Sequence, residues 1–247
     1  LGEDHKLSPV APRVEHLGTF LEELAQLNPL AVRHAGPHLA GQDLQLLEVR
    51  DLVVHYGRAL ALEGVSVDVP AGQVAVSPGK LLSEQKTAAG YRARFVSEGP
   101  AEQIALFAGP YRLSEQRHGT HRLRTYFDPS VADLASSYLD KTGGYIDFYN
   151  QWIGAYPYAG FDVVSGPQPL GLGFPGLTYV GSAVLRLPFL TDTSLGHEVL
   201  HSWWGNAVLI DANRGNWAEG LTTFMADYTY EERKGEAQAA EMRRRWL

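Results

Sequence analysis

The hydrophobic pattern of this chain changes its period at one place, and that change limits the folds open to it. From about residue 44 to 128 the apolar residues alternate or cluster in short runs: DLQLLEVRDLVV, VSVDV, QVAV, YRARFV, QIALFAG and HRLRTYF. Pro and Gly punctuate the gaps, as expected of short strands in an antiparallel sheet or sandwich. After Asp128-Pro129 the spacing turns helical. Val131, Leu134, Tyr138, Tyr145, Phe148, Tyr149 and Trp152 suit one long helix or two, with Gly143-Gly144 as the weak point. Strand character returns in FDVV and GLTYVGSAVLRL. Helices are then expected over Thr191–Ala207, over Trp217–Glu232 and in the closing EAQAAEMRRRWL. Before all of this, Leu17, Leu21, Leu24 and Leu27 mark a short amphipathic helix that Asn28-Pro29 ends. The expected class is α+β: a mainly β domain over 1–128, with that short leading helix, then an α/β domain over 129–247.

Bulk properties exclude several functions. The 247 residues allow one large domain or two small ones, and 45% hydrophobic with 20% charged residues gives ample core. The net charge is -7, and Arg243-Arg244-Arg245 reads as a solvated helix end, so no nucleic acid partner is expected. With 0 Cys, disulfide frameworks, cysteine zinc fingers and thiol catalysis are ruled out. No apolar run reaches the ~18 residues that a spanning helix needs. The chain starts at Leu1 without a signal-like segment, which reads as processing or excision from something longer. A periplasmic, secreted or membrane-associated location is expected over a cytoplasmic one.

The chemistry concentrates in GHEVLHSWWGN, Gly196 to Asn206, which contains H-E-x-x-H. Two histidines four apart share a helix face, so His197 and His201 can bind one ion with Glu198 beside it. A catalytic zinc wants three protein ligands and an open position. The third must come from another element, and the acids downstream are Asp211, Glu219, Asp227, Glu231 and Glu232. Residues 202 to 218 are long enough to bring Glu219 back against the imidazoles. Spacing alone leaves two other readings open: Asn216-x-x-Glu219 is also a capping box, and Asp211 is a ligand if the loop folds tightly.

The run from Gly196 to Met225 resembles the zinc peptidases of the aminopeptidase N-like gluzincin family. The matching elements are His197-Glu198-x-x-His201, then Trp203-Trp204-Gly205-Asn206, then Glu219-Gly220. YFDPS, a Tyr-rich helix, WIGAYPY and GLTYVG fall in the family's order, so the resemblance covers about residues 120–235. It implies a saddle- or sandwich-like β-rich amino-terminal domain followed by a thermolysin-like catalytic domain with a zinc-binding helix pair. It also implies one Zn²⁺ per chain on His197, His201 and Glu219, acting on a peptide substrate. Zinc makes water nucleophilic near neutral pH. Glu198 is then the general base, taking the proton and passing it to the leaving amine.

The loop between His201 and Glu219 is one residue shorter than is usual in the family, and Ala218 stands where it usually has Asn. Its aminopeptidases carry a glutamate in G-x-M-E-N that grips the substrate's α-amine. The equivalent segment here is PLGLGFPGLTYVG, and no Asp or Glu occurs between Asp162 and Asp192. Gly173, Phe174, Pro175 and Gly176 remain to bind a peptide backbone by strand addition. The family's transition-state tyrosine lies beyond this chain's end, so a missing carboxyl-terminal part is the expected partner. Tyr228 and Tyr230, like Trp203 and Trp204, read as core packing. Thr223 reads equally as support for the ligands or as plain helix surface, and His118 with His121 as a surface pair. The competing function is a catalytically impaired zinc- or peptide-binding module on the same scaffold.

Overall fold

The computed structural model describes residues 48–56, 59–68, 72–88, 90–98, 105–187, 189–211 and 215–246. The leading helix expected near residues 13–28 lies outside them. Strands β1 (Glu48–Tyr56) and β2 (Ala59–Asp68) pair antiparallel, as do β4 (Lys80–Thr87) and β5 (Gly90–Val96). Strand β3 (Val74–Val76) pairs with β6 (Phe107–Gly109). A five-stranded mixed sheet follows, in the order β10-β11-β9-β8-β7. Its strands are β7 (Arg112–His118), β8 (His121–Phe127), β9 (Gly160–Gly166), β10 (Gly171–Phe174) and β11 (Leu177–Gly181). Together with the helices, this makes the chain α+β.

The sheet runs through residue 129 without a break. β8 pairs in parallel with β9, and a parallel pair needs a crossover connection. That crossover is a 3₁₀ turn, Pro129–Leu134, and helix α1 (Ala135–Trp152). The change of period at Asp128-Pro129 therefore marks a strand giving way to its crossover helix. The sheet is continuous across it. All the described residues belong to one unit, Gln45–Leu247.

Alternation along the strands gives the sheet two buried faces. Leu123, Phe127, Phe161 and Val163 pack against Tyr138, Ile146 and Tyr149 of α1. Tyr126, Val164, Leu177 and Tyr179 face the other way, onto Val74, Val76 and Tyr91. Full burial of each such apolar side chain stabilises the fold by ~1.5–3 kcal/mol. Helix α1 passes unbroken through Gly143-Gly144. A Cβ at Gly143 would lie 2.7 Å from His118 Nδ1, so the residue is small because an imidazole packs on it. His118 Nε2 bonds Asp147 Oδ1 on the same helix at 2.8 Å, and His121 Nδ1 meets the Tyr158 carbonyl at 3.1 Å. These two histidines tie the β7–β8 hairpin to its neighbours.

Candidate metal centre

Helix α3 (Leu195–Leu200), which follows a short α2 (Ser182–Leu185), carries the H-E-x-x-H segment after a π-turn at Leu190–Ser194. Leu195, Val199 and Leu200 are buried in the helix-side core, which leaves His197, Glu198 and His201 on the free face. Gly196 is small for a local reason: a Cβ there would stand 2.1 Å from Tyr230 Oη and 2.8 Å from Tyr145 Cε1. The helix expected to run to Ala207 ends at Leu200, with His201 as its C-cap. Gly205 adopts a φ of +103°, and Asn206 Nδ2 donates to the His201 carbonyl at 2.9 Å. Val208 then bridges back to Trp204. The W-G-N run is thus the stop of the helix, and the turn also brings the Trp204 carbonyl to His201 Nδ1 at 3.0 Å.

Helix α4 (Trp217–Thr223) supplies Glu219. Asn216 is its N-cap and accepts from the Glu219 backbone N–H at 3.3 Å. Half of the capping box is therefore present, but the Glu219 carboxylate does not reach back to complete it. It turns to the histidines, with Oε1 3.2 Å from His197 Nε2 and Oε2 3.2 Å from His201 Nε2. The two Nε2 atoms are 3.1 Å apart. A tetrahedral zinc with bonds of ~2.0–2.1 Å would space its ligand atoms by about 3.4 Å. The triangle matches one face of that polyhedron within a few tenths of an ångström. Among the described residues, this trio is the group of acids and histidines able to hold an ion; Asp211 is not part of it.

Charge follows the geometry. In the chain without a cation, burial opposes the positive charge of His197. Its bonds to Asp227 and Glu219 outweigh that and push its pKa up to about 10. Hydrogen bonds from His197 and His201 hold the Glu219 carboxyl far below the usual range. Glu198 behaves differently: burial raises its pKa, against the pull of both histidines and a hydrogen bond with Thr178 of β11. A cavity of about 170 Å³ beneath it is lined by Tyr138, Gly171, Val180, Leu190 and Leu195.

Glu198 also looks across at strand β10. A Cβ on Gly173 would lie 3.4 Å from Glu198 Oε2, and one on Gly171 would lie 3.9 Å from Oε1. Of the four residues expected to meet a substrate, only Gly173 is placed against the centre. Phe174 turns to the opposite face, where its ring packs on Phe107 at 5.7 Å. Successive side chains on a strand alternate faces, so those of Gly173 and Phe174 point to opposite sides of the sheet. Pro175-Gly176 forms the two-residue turn from β10 to β11, Gly176 taking a φ of +66°. Phe174 thus packs on the far face of the sheet, and Pro175 and Gly176 make the turn beside it.

Other expectations shift by a residue or gain detail. Thr222, not Thr223, comes within 3.5 Å of His201 Nδ1 and is buried. Tyr228 and Tyr230 are buried, and Trp203 donates Nε1–H to the Gly154 carbonyl at 3.2 Å. Sequence reasoning gave no role to Asp227, whose Oδ2 sits 3.0 Å from His197 Nδ1.

No family model matches the chain. Aminopeptidase RNPEPL1 of Mus musculus and of Homo sapiens is 29% identical over 136 residues, covering 51% of this chain and 18% of each relative. Puromycin-sensitive aminopeptidase of Caenorhabditis elegans is 26% identical over 181 residues, 65% of this chain and 19% of that protein. The chain thus spans about a fifth of the length of these relatives. A mutant M1 zinc metallopeptidase of Deinococcus radiodurans, solved with a Tyr-Ser-Ala substrate, superimposes with a TM-score of 0.52. That match covers 72% of this chain and 42% of the other at 21% identity, a likeness of fold. The chain is thus similar in sequence to parts of these aminopeptidases and in fold to a zinc metallopeptidase.

Proposed function

We propose that this chain is the metal-bearing part of a peptide hydrolase, a thermolysin-like zinc domain behind a mainly β amino-terminal region. One observation carries the reading: two Nε2 atoms and a carboxylate form a triangle with edges of 3.1 to 3.2 Å, and a half-buried acid stands beside it. His197, His201 and Glu219 would hold one zinc ion. When bound, zinc supplies the Lewis acidity that makes water a nucleophile at neutral pH. Glu198 is the general base: it neighbours a ligand, does not itself join the trio, and has its proton affinity raised by burial. It takes the proton of the attacking water and returns it to the leaving amine. Strand β10 is an edge of the five-stranded sheet, and its glycines leave the backbone open toward Glu198. A peptide adding as a further strand would bring its carbonyl to that side. No acid between residues 163 and 191 is present to hold an α-ammonium there, so the substrate's amino end is not held electrostatically by this segment.

Glu198→Gln in the zinc-loaded protein tests the assignment. Zinc content should stay at one ion per chain, while kcat for peptide hydrolysis falls by ~10²–10⁴-fold. Unchanged turnover would rule out Glu198 as base. A wild-type protein that holds zinc and a peptide without cleaving it would favour the binding-module reading instead.

A further inference from the structure

We infer that Asp227 is the positioning residue for His197, and that the π-turn at Phe224–Tyr228 is the device that aims it. This rests on the proposed zinc site, whose other histidine is oriented differently. His201 is steadied by the carbonyl of Trp204, three residues on in its own turn. His197 is steadied by a carboxylate thirty residues away, Asp227 Oδ2, at 3.0 Å from Nδ1. An imidazole that offers Nε2 to a metal must carry its proton on Nδ1, and that N–H needs an acceptor. A carboxylate there fixes the tautomer, stops the ring rotating about its own axis and makes Nε2 a stronger donor. The two imidazoles are thus built to be unequal ligands.

An ordinary helix would not put Asp227 there. At about 100° per residue, the seventh residue after Glu219 returns to within about 20° of its face, whereas the eighth overshoots by about 80°. The seventh is Ala226, which is fully buried in the core; the eighth is Asp227. Between them and Glu219, helix α4 opens into a π-turn at Phe224–Tyr228 before α5 (Thr229–Lys234) resumes. A π-turn closes i→i+5 and takes in one residue more than an α-turn. That extra residue brings position 227 back under the histidines. Thr222 lies in the α-helical part, three residues past Glu219, where no correction is needed to reach His201.

Asp227 is also a clean residue to change. Its side chain is 31% exposed and lines an open cleft with Glu231, Glu241 and Arg244, so replacement leaves neither a sealed void nor a buried charge. The test measures zinc dissociation constants by chelator competition for the wild type, Asp227→Asn and Asp227→Ala, with far-ultraviolet circular dichroism reporting the fold. Both variants should bind zinc ~10–100-fold more weakly, and their cobalt-substituted forms should show shifted d–d absorption bands. Asp227→Glu should recover part of the affinity. Deleting Ala226 closes the π-turn to an α-turn and returns Asp227 to the seventh position, so it should stay within about threefold of wild type. Wild-type affinity and bands in Asp227→Asn would overturn Asp227's role while leaving the zinc site standing. A folded Ala226 deletion that loses as much as Asp227→Ala would overturn the role of the π-turn. Failure of the wild type to bind zinc would instead overturn the proposed site.

Discussion

Replacing Gly196 with Ala adds one methyl group directly before the first candidate ligand, and the structure says what that methyl meets. Its Cβ would come 2.1 Å from Tyr230 Oη and 2.8 Å from Tyr145 Cε1. Neither ring can step aside cheaply. Tyr230 is buried and its hydroxyl bonds Tyr149 Oη at 3.1 Å, while Tyr145 donates to the Thr191 carbonyl at 2.8 Å. Overpacking of this kind costs ~1–3 kcal/mol, and displacing the tyrosine hydroxyl loses a further ~1 kcal/mol. The better helix propensity of Ala returns about 1 kcal/mol. The net loss is about 2 kcal/mol, or a fall in Tm of ~4–8 °C for a unit of this size. Gly220 provides the control: it lies in α4 beside Glu219, and a Cβ there meets nothing within 4 Å. Gly220→Ala should therefore gain up to ~1 kcal/mol. Thermal melts of the zinc-free chain should place the two variants on opposite sides of wild type. A Gly196→Ala protein that melts at or above the wild-type temperature would refute the tyrosine clamp.

Two further outcomes are expected. Asp162 is buried, and burial pushes its pKa up to about 7 against the pull of Arg122 and Arg124. The folded chain thus holds this proton more tightly than the unfolded one, so its contribution is full below about pH 4 and is lost as pH rises to 7. Urea unfolding between pH 4.5 and 7.5 should show wild type losing stability relative to Asp162→Asn, by no more than about 4 kcal/mol; a constant difference refutes it. Separately, because no acid stands between residues 163 and 191, kcat/KM for an N-acetylated peptide should approach that for the free amine. A carboxylate–ammonium contact is worth ~1.5–3 kcal/mol, so a preference for the free amine above about a hundredfold would mean that an anchor exists elsewhere.

The legible parts of the sequence are those where one physical rule acts alone. HRLRTYF, FDVV and GLTYV are apolar enough to announce strands, and each lies in the central sheet. His197 and His201 share a face because four residues make little more than one full turn. Strands KLLSEQKT and RLSEQRH went unremarked because they are polar and largely exposed. The continuity of the sheet past Asp128 was hidden because parallel pairing of β8 with β9 is a long-range property, invisible to local period. The face taken by Phe174 was not legible because a side chain's face depends on the strand's register, and Gly residues carry no pattern from which to read it. Asp227 was beyond reach for a different reason: a π-turn changes the count that places a residue on a helix face.

The parallel pairing of β8 with β9 has a consequence in time. Leu123 opposes Phe161 and Tyr126 opposes Val164, so the sheet cannot grow past the β7–β8 hairpin until the whole of α1 has been made. Contacts this distant in sequence slow folding, because loop entropy is spent before any pairing rewards it. The last strand of the sheet ends at Gly181, whereas Glu219 comes 38 residues later. At ~5–20 residues per second, synthesis leaves an interval of about 2–8 s between the two. During that interval the sheet can form with the two histidines still to come or present without their carboxylate. If the proposed site binds its ion, its ligand set is therefore completed last, by Glu219, after every strand of the sheet has been made.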